Sequence, residues 1–141
     1  MNEQLAQAGG LLFLLTFFHF LADWIPQTHR EAVTKSKDWR VRAKHVTVYT
    51  ALMMVPFTLI LWHHRANTFF IYYHISFVVT WVTHFIGDSY VITFAWVKYI
   101  RQIPEELRTP KDPLTLILVI VIDQLWHIAW LCVPVALAVW G

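Results

Sequence analysis

The chain has 141 residues, 57% hydrophobic and only 14% charged, with a net charge of +2. A soluble domain carries about 25% charged residues, so this composition excludes an ordinary soluble globule and points to an integral membrane protein. The mild basic balance gives no footing for nucleic acid, and the single cysteine, Cys132, leaves no intrachain disulfide to form.

The opening residues, MNEQLAQAGG, hold no Lys or Arg. A cleaved signal peptide carries a positive region there, so the first apolar stretch, about 8–27, is expected to stay as a transmembrane helix. A polar connection follows at about 28–42, then a second stretch at 43–62 and a tight turn, HHRAN. The third stretch covers 68–90. It either runs on through VITFAWVKYI toward residue 100, past a break at Gly87, or leaves that tail along the membrane interface. After the loop RQIPEELRTPKDP comes the fourth stretch, 114–139. Each is near the roughly 20 residues that a bilayer crossing needs. None shows the period-2 alternation of a barrel. Backbone satisfaction in lipid then predicts an all-α membrane protein, a single four-transmembrane-helix bundle.

Basic residues set the expected orientation. Arg30, Lys35, Lys37, Arg40, Arg42 and Lys44 flank the first connection, and Lys98, Arg101, Arg108 and Lys111 the third. Only Arg65 falls in the second, so ten of the 11 lie on one side. Both long connections are expected in the cytoplasm and both termini outside it.

Ionisable residues inside the apolar stretches carry the chemistry. His19 and Asp23, in HFLAD, stand one helical turn apart and share a face. His84 and Asp88, in HFIGD, repeat the arrangement, and Asp123 and His127, in DQLWH, reverse it. His45 adds a fourth imidazole near the inner end of the second helix. An Asp at a bilayer centre costs about 2.5–3.5 kcal/mol on insertion scales. Three of them must face the bundle interior and find partners. His19, Asp23, His45, His84, Asp88, Asp123 and His127 form a ligand inventory for one or two divalent ions, zinc first, with manganese or iron also suited. Buried pairs at this spacing can equally tie helices together by hydrogen bonds, or line an ion path. His29, His63 and His64 read as solvated, and His74 as bonded away from the cluster. Trp24, Trp39, Trp62, Trp96 and Trp140 fall near expected interfaces, as an aromatic belt does.

The two HF[LI][AG]D stretches both fall near the inner end of an inward-running helix, the arrangement of a parallel two-fold repeat of helix pairs. With HFLADWIPQT, KS at 35–36, KHVTVYT, THFIGDSY and DQLWH, the chain resembles the family of domain of unknown function 3307, small integral-membrane proteins of bacteria and phages. The resemblance covers most of the chain and picks out His19, Asp23, Gln27, Thr28, Lys35, Ser36, His45, Tyr49, Thr83, His84, Asp88, Asp123, Gln124 and His127. It implies a multi-pass protein of the bacterial inner membrane and supplies no reaction. More loosely, the His-x3-Asp pattern is similar to proteins labelled membrane-bound metal-dependent hydrolases.

The expected function is accordingly a metal-dependent membrane hydrolase working in the cytoplasmic half of the bilayer. Asp123 or His127 is expected to serve as general base or acid. Membrane lipid, bearing a phosphate or ester, is the expected partner, its anionic head held by Arg40, Arg42 and Lys44. Self-association into a homo-oligomer is left open. The alternatives are a non-enzymatic bacterial or phage membrane factor with a structural His/Asp cluster, and a proton or metal-ion conduit.

Overall fold

The computed structural model describes residues 2–105 and 112–141. Among them are six α-helices: α1 (Asn2–Trp24), α2 (His29–Thr34), α3 (Trp39–Arg65), α4 (Phe69–Gly87), α5 (Val91–Tyr99) and α6 (Pro113–Trp140). Glu3–Trp24, Trp39–His63, Phe69–Gly87 and Pro113–Trp140 are long and apolar enough to cross a membrane. Arg108 and Lys111, expected beside an inner loop, lie outside the described residues, as does the side chain of His64.

Local chemistry sets several boundaries. Asp112 caps α6 by accepting from the Thr115 backbone N–H, and Pro113 supplies a first residue with no N–H to satisfy. Thr28 and Glu31 form a reciprocal capping box that starts α2. The stretch 28–42, read from sequence as a polar loop, therefore contains a helical turn whose end, Lys35, is buried. At the other uncertain junction α4 stops at Gly87. Tyr90 then adopts a left-handed φ of 57°, and the tail that follows is the separate short helix α5, packed on α4 and α6.

In the bundle α3 packs on α1 and α4, and α6 packs on the same two helices. Leu15, Met53, Phe57, Leu61, Leu131 and Val135 belong to its apolar core. Arg65, at the end of α3, donates to the carbonyls of Leu137 and Val139 at the end of α6. Those two helices therefore run in the same direction, with their ends together. Phe13, Leu59, Phe70, Ile71 and Ile117 face outward and are more than half exposed, as side chains against lipid are. Trp24 and Trp39 are exposed near one end of the bundle, and Trp62 and Trp140 near the other, as two aromatic girdles would be.

Candidate metal centre

Below the apolar core the interior turns polar. His19, Asp23, His45, His84, Asp88, Asp123 and His127 are all buried. The i, i+4 spacing puts each His–Asp pair on the inner face of its helix. Antiparallel neighbours bring the end of α1 and the end of α4 to the start of α3, where His45 stands.

Four atoms define the middle of the cluster. His45 Nε2 and His84 Nε2 are 3.4 Å apart. Asp23 Oδ1 lies 2.9 Å from the first and 3.6 Å from the second. Asp88 Oδ2 lies 3.4 Å and 3.5 Å from the same two atoms. A tetrahedral ion with bonds of about 2.0–2.1 Å spaces its ligand atoms roughly 3.3 Å apart. Both triangles, each two imidazoles and a carboxylate, match that edge length. His127 joins His84 and Asp88 in a second group of mutually close ligand atoms, again sharing His84.

The sequence-predicted residues divide here. Asp23, His45, His84, Asp88 and His127 fall in these groups, whereas His19 and Asp123 do not. His19 has both nitrogens engaged: the Tyr49 hydroxyl donates to Nδ1 at 2.8 Å, and Nε2–H donates to Gln124 Oε1 at 3.1 Å. Asp123 Oδ2 stands 3.8 Å behind His127 Nδ1. Neither ring nitrogen of His127 has a hydrogen-bond partner among the described residues, nor does Nδ1 of His84. Buried polar atoms are nearly always satisfied, so open imidazole nitrogens fit a centre built to take an ion or a substrate. Both rings line a cavity of about 10 Å³, with Tyr49, Thr80 and Thr83; that volume is close to the lower limit for one water molecule.

Ring packing fixes the geometry. The Tyr49 ring stacks on His84 at 3.8 Å between centroids, and His127 lies 4.0 Å from His84 on another side. Gly87 lets α6 close in, because a Cβ there would stand 2.8 Å from His127 Nε2 and 2.7 Å from Trp126 Cδ1.

Sequence reasoning gave Lys35 a place in a family motif and a role in topology, but not this position. Its Nζ reaches Asp88 Oδ1 at 2.8 Å and Asp23 Oδ1 at 3.7 Å, and stands 3.4 Å from His45 Nε2. Burial works against the ammonium, but Asp88 and then Asp23 outweigh it and hold the Lys35 pKa above its ordinary value. The legible signal was the T-x-x-E of Thr28–Glu31, which predicts a helix start and so an ordered route for Lys35 back to the bundle.

The other proposed contacts are peripheral. Lys44 is exposed and pairs with Glu31 at 2.8 Å. Arg40 is exposed beside Trp39, and Arg42 lies over the Phe85 ring at 4.6 Å. His29 and His63 are exposed, and His74 faces outward and bonds the Phe70 carbonyl of its own helix.

No curated protein and no solved structure matches the chain. The family described as Protein of unknown function (DUF3307) matches residues 11–140. With nearly the whole length covered, bundle and polar centre included, the chain belongs to the DUF3307 family.

Proposed function

We propose that this protein is a divalent-metal-dependent hydrolase of the bacterial inner membrane, acting on an amphiphilic substrate that carries a phosphate or ester bond. The observation that carries the reading is the pair of ligand triangles on the shared edge between His45 and His84, closed by Asp23 on one side and Asp88 on the other. Zinc suits such a nitrogen and carboxylate set, with manganese or iron as alternatives. When bound, such an ion lowers the pKa of a coordinated water and polarises a phosphoryl or carbonyl oxygen.

The chain's own residues supply the rest. His127, beside the small cavity, would take or give a proton as general base or acid through its Nε2. Asp123 Oδ2 stands 3.8 Å from its Nδ1 and would stabilise the imidazolium form electrostatically. His19, locked by Tyr49 and Gln124, walls the centre without using a free lone pair. Lys35 offsets one of the three buried aspartate charges of the cluster, and a divalent ion would offset the other two.

The test is hydrolysis by the purified protein in nanodiscs of defined phospholipids, with zinc supplied or chelated. Metal-dependent release of phosphate or fatty acid that is lost in His127→Gln supports the reading. No release from any phospholipid class, with metal bound, contradicts it. The 2.8 Å pair of Lys35 and Asp88 favours a second reading, a non-enzymatic membrane factor whose cluster is a metal-free lock between helices. Chelator-insensitive melting would favour that lock.

A further inference from the structure

A groove of about 320 Å³ opens between α2, α5 and α6, the size of a small-molecule site. Its walls are largely apolar, with Val33, Phe94, Leu116 and Ile120 among them, and Ser36 and Lys37 also line it. Among the described residues no acidic side chain lines it and Lys37 makes no ion pair. One feature joins this groove to the His/Asp centre, and another marks its lining. Ser36 lines the groove while its chain neighbour Lys35 reaches Asp88. Tyr90, also in the lining, is held in the left-handed region at φ 57°. A residue with a Cβ is uncommon there, and such outliers gather at ligand clamps.

A second groove of similar volume runs between α1 and α3, lined by Phe18, Leu21, Ala22, Ile25, Pro26, Leu52 and Val55. Among the described residues no charged side chain lines it. Apolar walls alone describe any crevice that lipid tails could fill. An unpaired cation at the mouth describes a place for a tail with an anionic head.

We infer that the α2–α5–α6 groove binds an anionic membrane phospholipid, with one acyl chain along Phe94, Leu116 and Ile120 and the phosphate at Lys37 and Ser36. This names a substrate class for the hydrolase reading and rests on that reading only for the lipid's fate, not for its binding. Lys37 thereby takes the head-group role that sequence reasoning gave to Arg40, Arg42 and Lys44.

The experiment is lipid retention, read by native mass spectrometry. The protein is extracted from nanodiscs holding equal phosphatidylglycerol and phosphatidylcholine with identical chains. The wild type should retain phosphatidylglycerol about fivefold over phosphatidylcholine, the gain one basic residue gives near an anionic head. Lys37→Gln should bring that ratio close to unity. Ile120→Trp, at an exposed position that tolerates bulk, should lower retention of both lipids. Val55→Trp, in the other groove, should change neither. Equal retention of the two lipids by the wild type overturns the proposal, and so does retention that Ile120→Trp leaves unchanged. Bound metal is measured in the same samples; a metal-loaded protein without lipid preference would sink the groove and spare the centre.

Discussion

Lys35 and Asp88 meet at 2.8 Å with both side chains buried, one brought by a short helix outside the spans and the other by the end of α4. The ammonium offsets one of the two carboxylate charges it reaches, those of Asp23 and Asp88. A buried charge left without its partner is expensive, about 3–5 kcal/mol where such pairs have been broken. Lys35→Met should therefore lose stability on that scale in chelator and recover part of it when zinc is added, since an ion bound to the folded state stabilises by mass action. Melting in detergent with and without zinc checks this. A Lys35→Met protein indifferent to zinc would contradict the account of the centre.

Gly87 of α4 packs directly against Trp126 and His127 of α6. A methyl group there would overlap Trp126 and His127, and the indole of Trp126 is held by its bond to the Thr83 carbonyl at 2.9 Å. Gly87→Ala should cost about 1–3 kcal/mol, the usual range for overpacking, and should weaken metal binding by displacing His127. Unchanged melting would show that the helices are not in this contact.

Much of this centre was legible in sequence, and the reasons are geometric. A His and an Asp four apart in an apolar run must share a helix face, and their insertion cost drives that face inward. That reasoning brings His84, Asp88, Asp23 and His45 to one region from sequence alone. It could not tell which nitrogens remain available. His19 has the same spacing to Asp23 as His84 has to Asp88, yet Tyr49 and Gln124, from two other helices, occupy both of its ring atoms. Lys35 was hidden for a related reason. In a basic polar connection a lysine reads as a topology signal, and its burial depends on carboxylates delivered by α1 and α4. The break expected at Gly87 is where α4 ends; the left-handed turn at Tyr90 that starts the separate α5 was not legible, because it is a backbone conformation.

Glu31 gives a pH-dependent handle on the short helix that carries Lys35. The Lys44 ammonium and then the Thr28 backbone N–H and hydroxyl hold its carboxyl down from 4.5 to about 2. Its contribution should be complete above pH 4.5 and should fade as the pH drops toward 2. Glu31→Gln should melt below the wild type at pH 6 by a margin that narrows at pH 3. A margin that stays constant or widens on acidification would mean that the capping box and the Lys44 pair do not anchor α2.

Basic residues cluster at the connections where α1 ends and α3 begins, and beyond α5. By the positive-inside rule, a reporter fused after Gly141 should read as outside the cytoplasm and one inserted near Lys37 as inside. The opposite pair of readings would move the centre and the α2–α5–α6 groove to the outer leaflet.

The most direct measurement is metal content in protein purified without a polyhistidine tag, equilibrated with zinc and freed of excess. His84 belongs to both groups of close ligand atoms, whereas both nitrogens of His19 are engaged. The account predicts about one zinc per wild-type chain, near-complete loss in His84→Asn, and retention in His19→Asn, with all three proteins helical by circular dichroism. A folded wild type that binds no zinc, manganese or iron, or a His84→Asn protein that binds as much as the wild type, would contradict it.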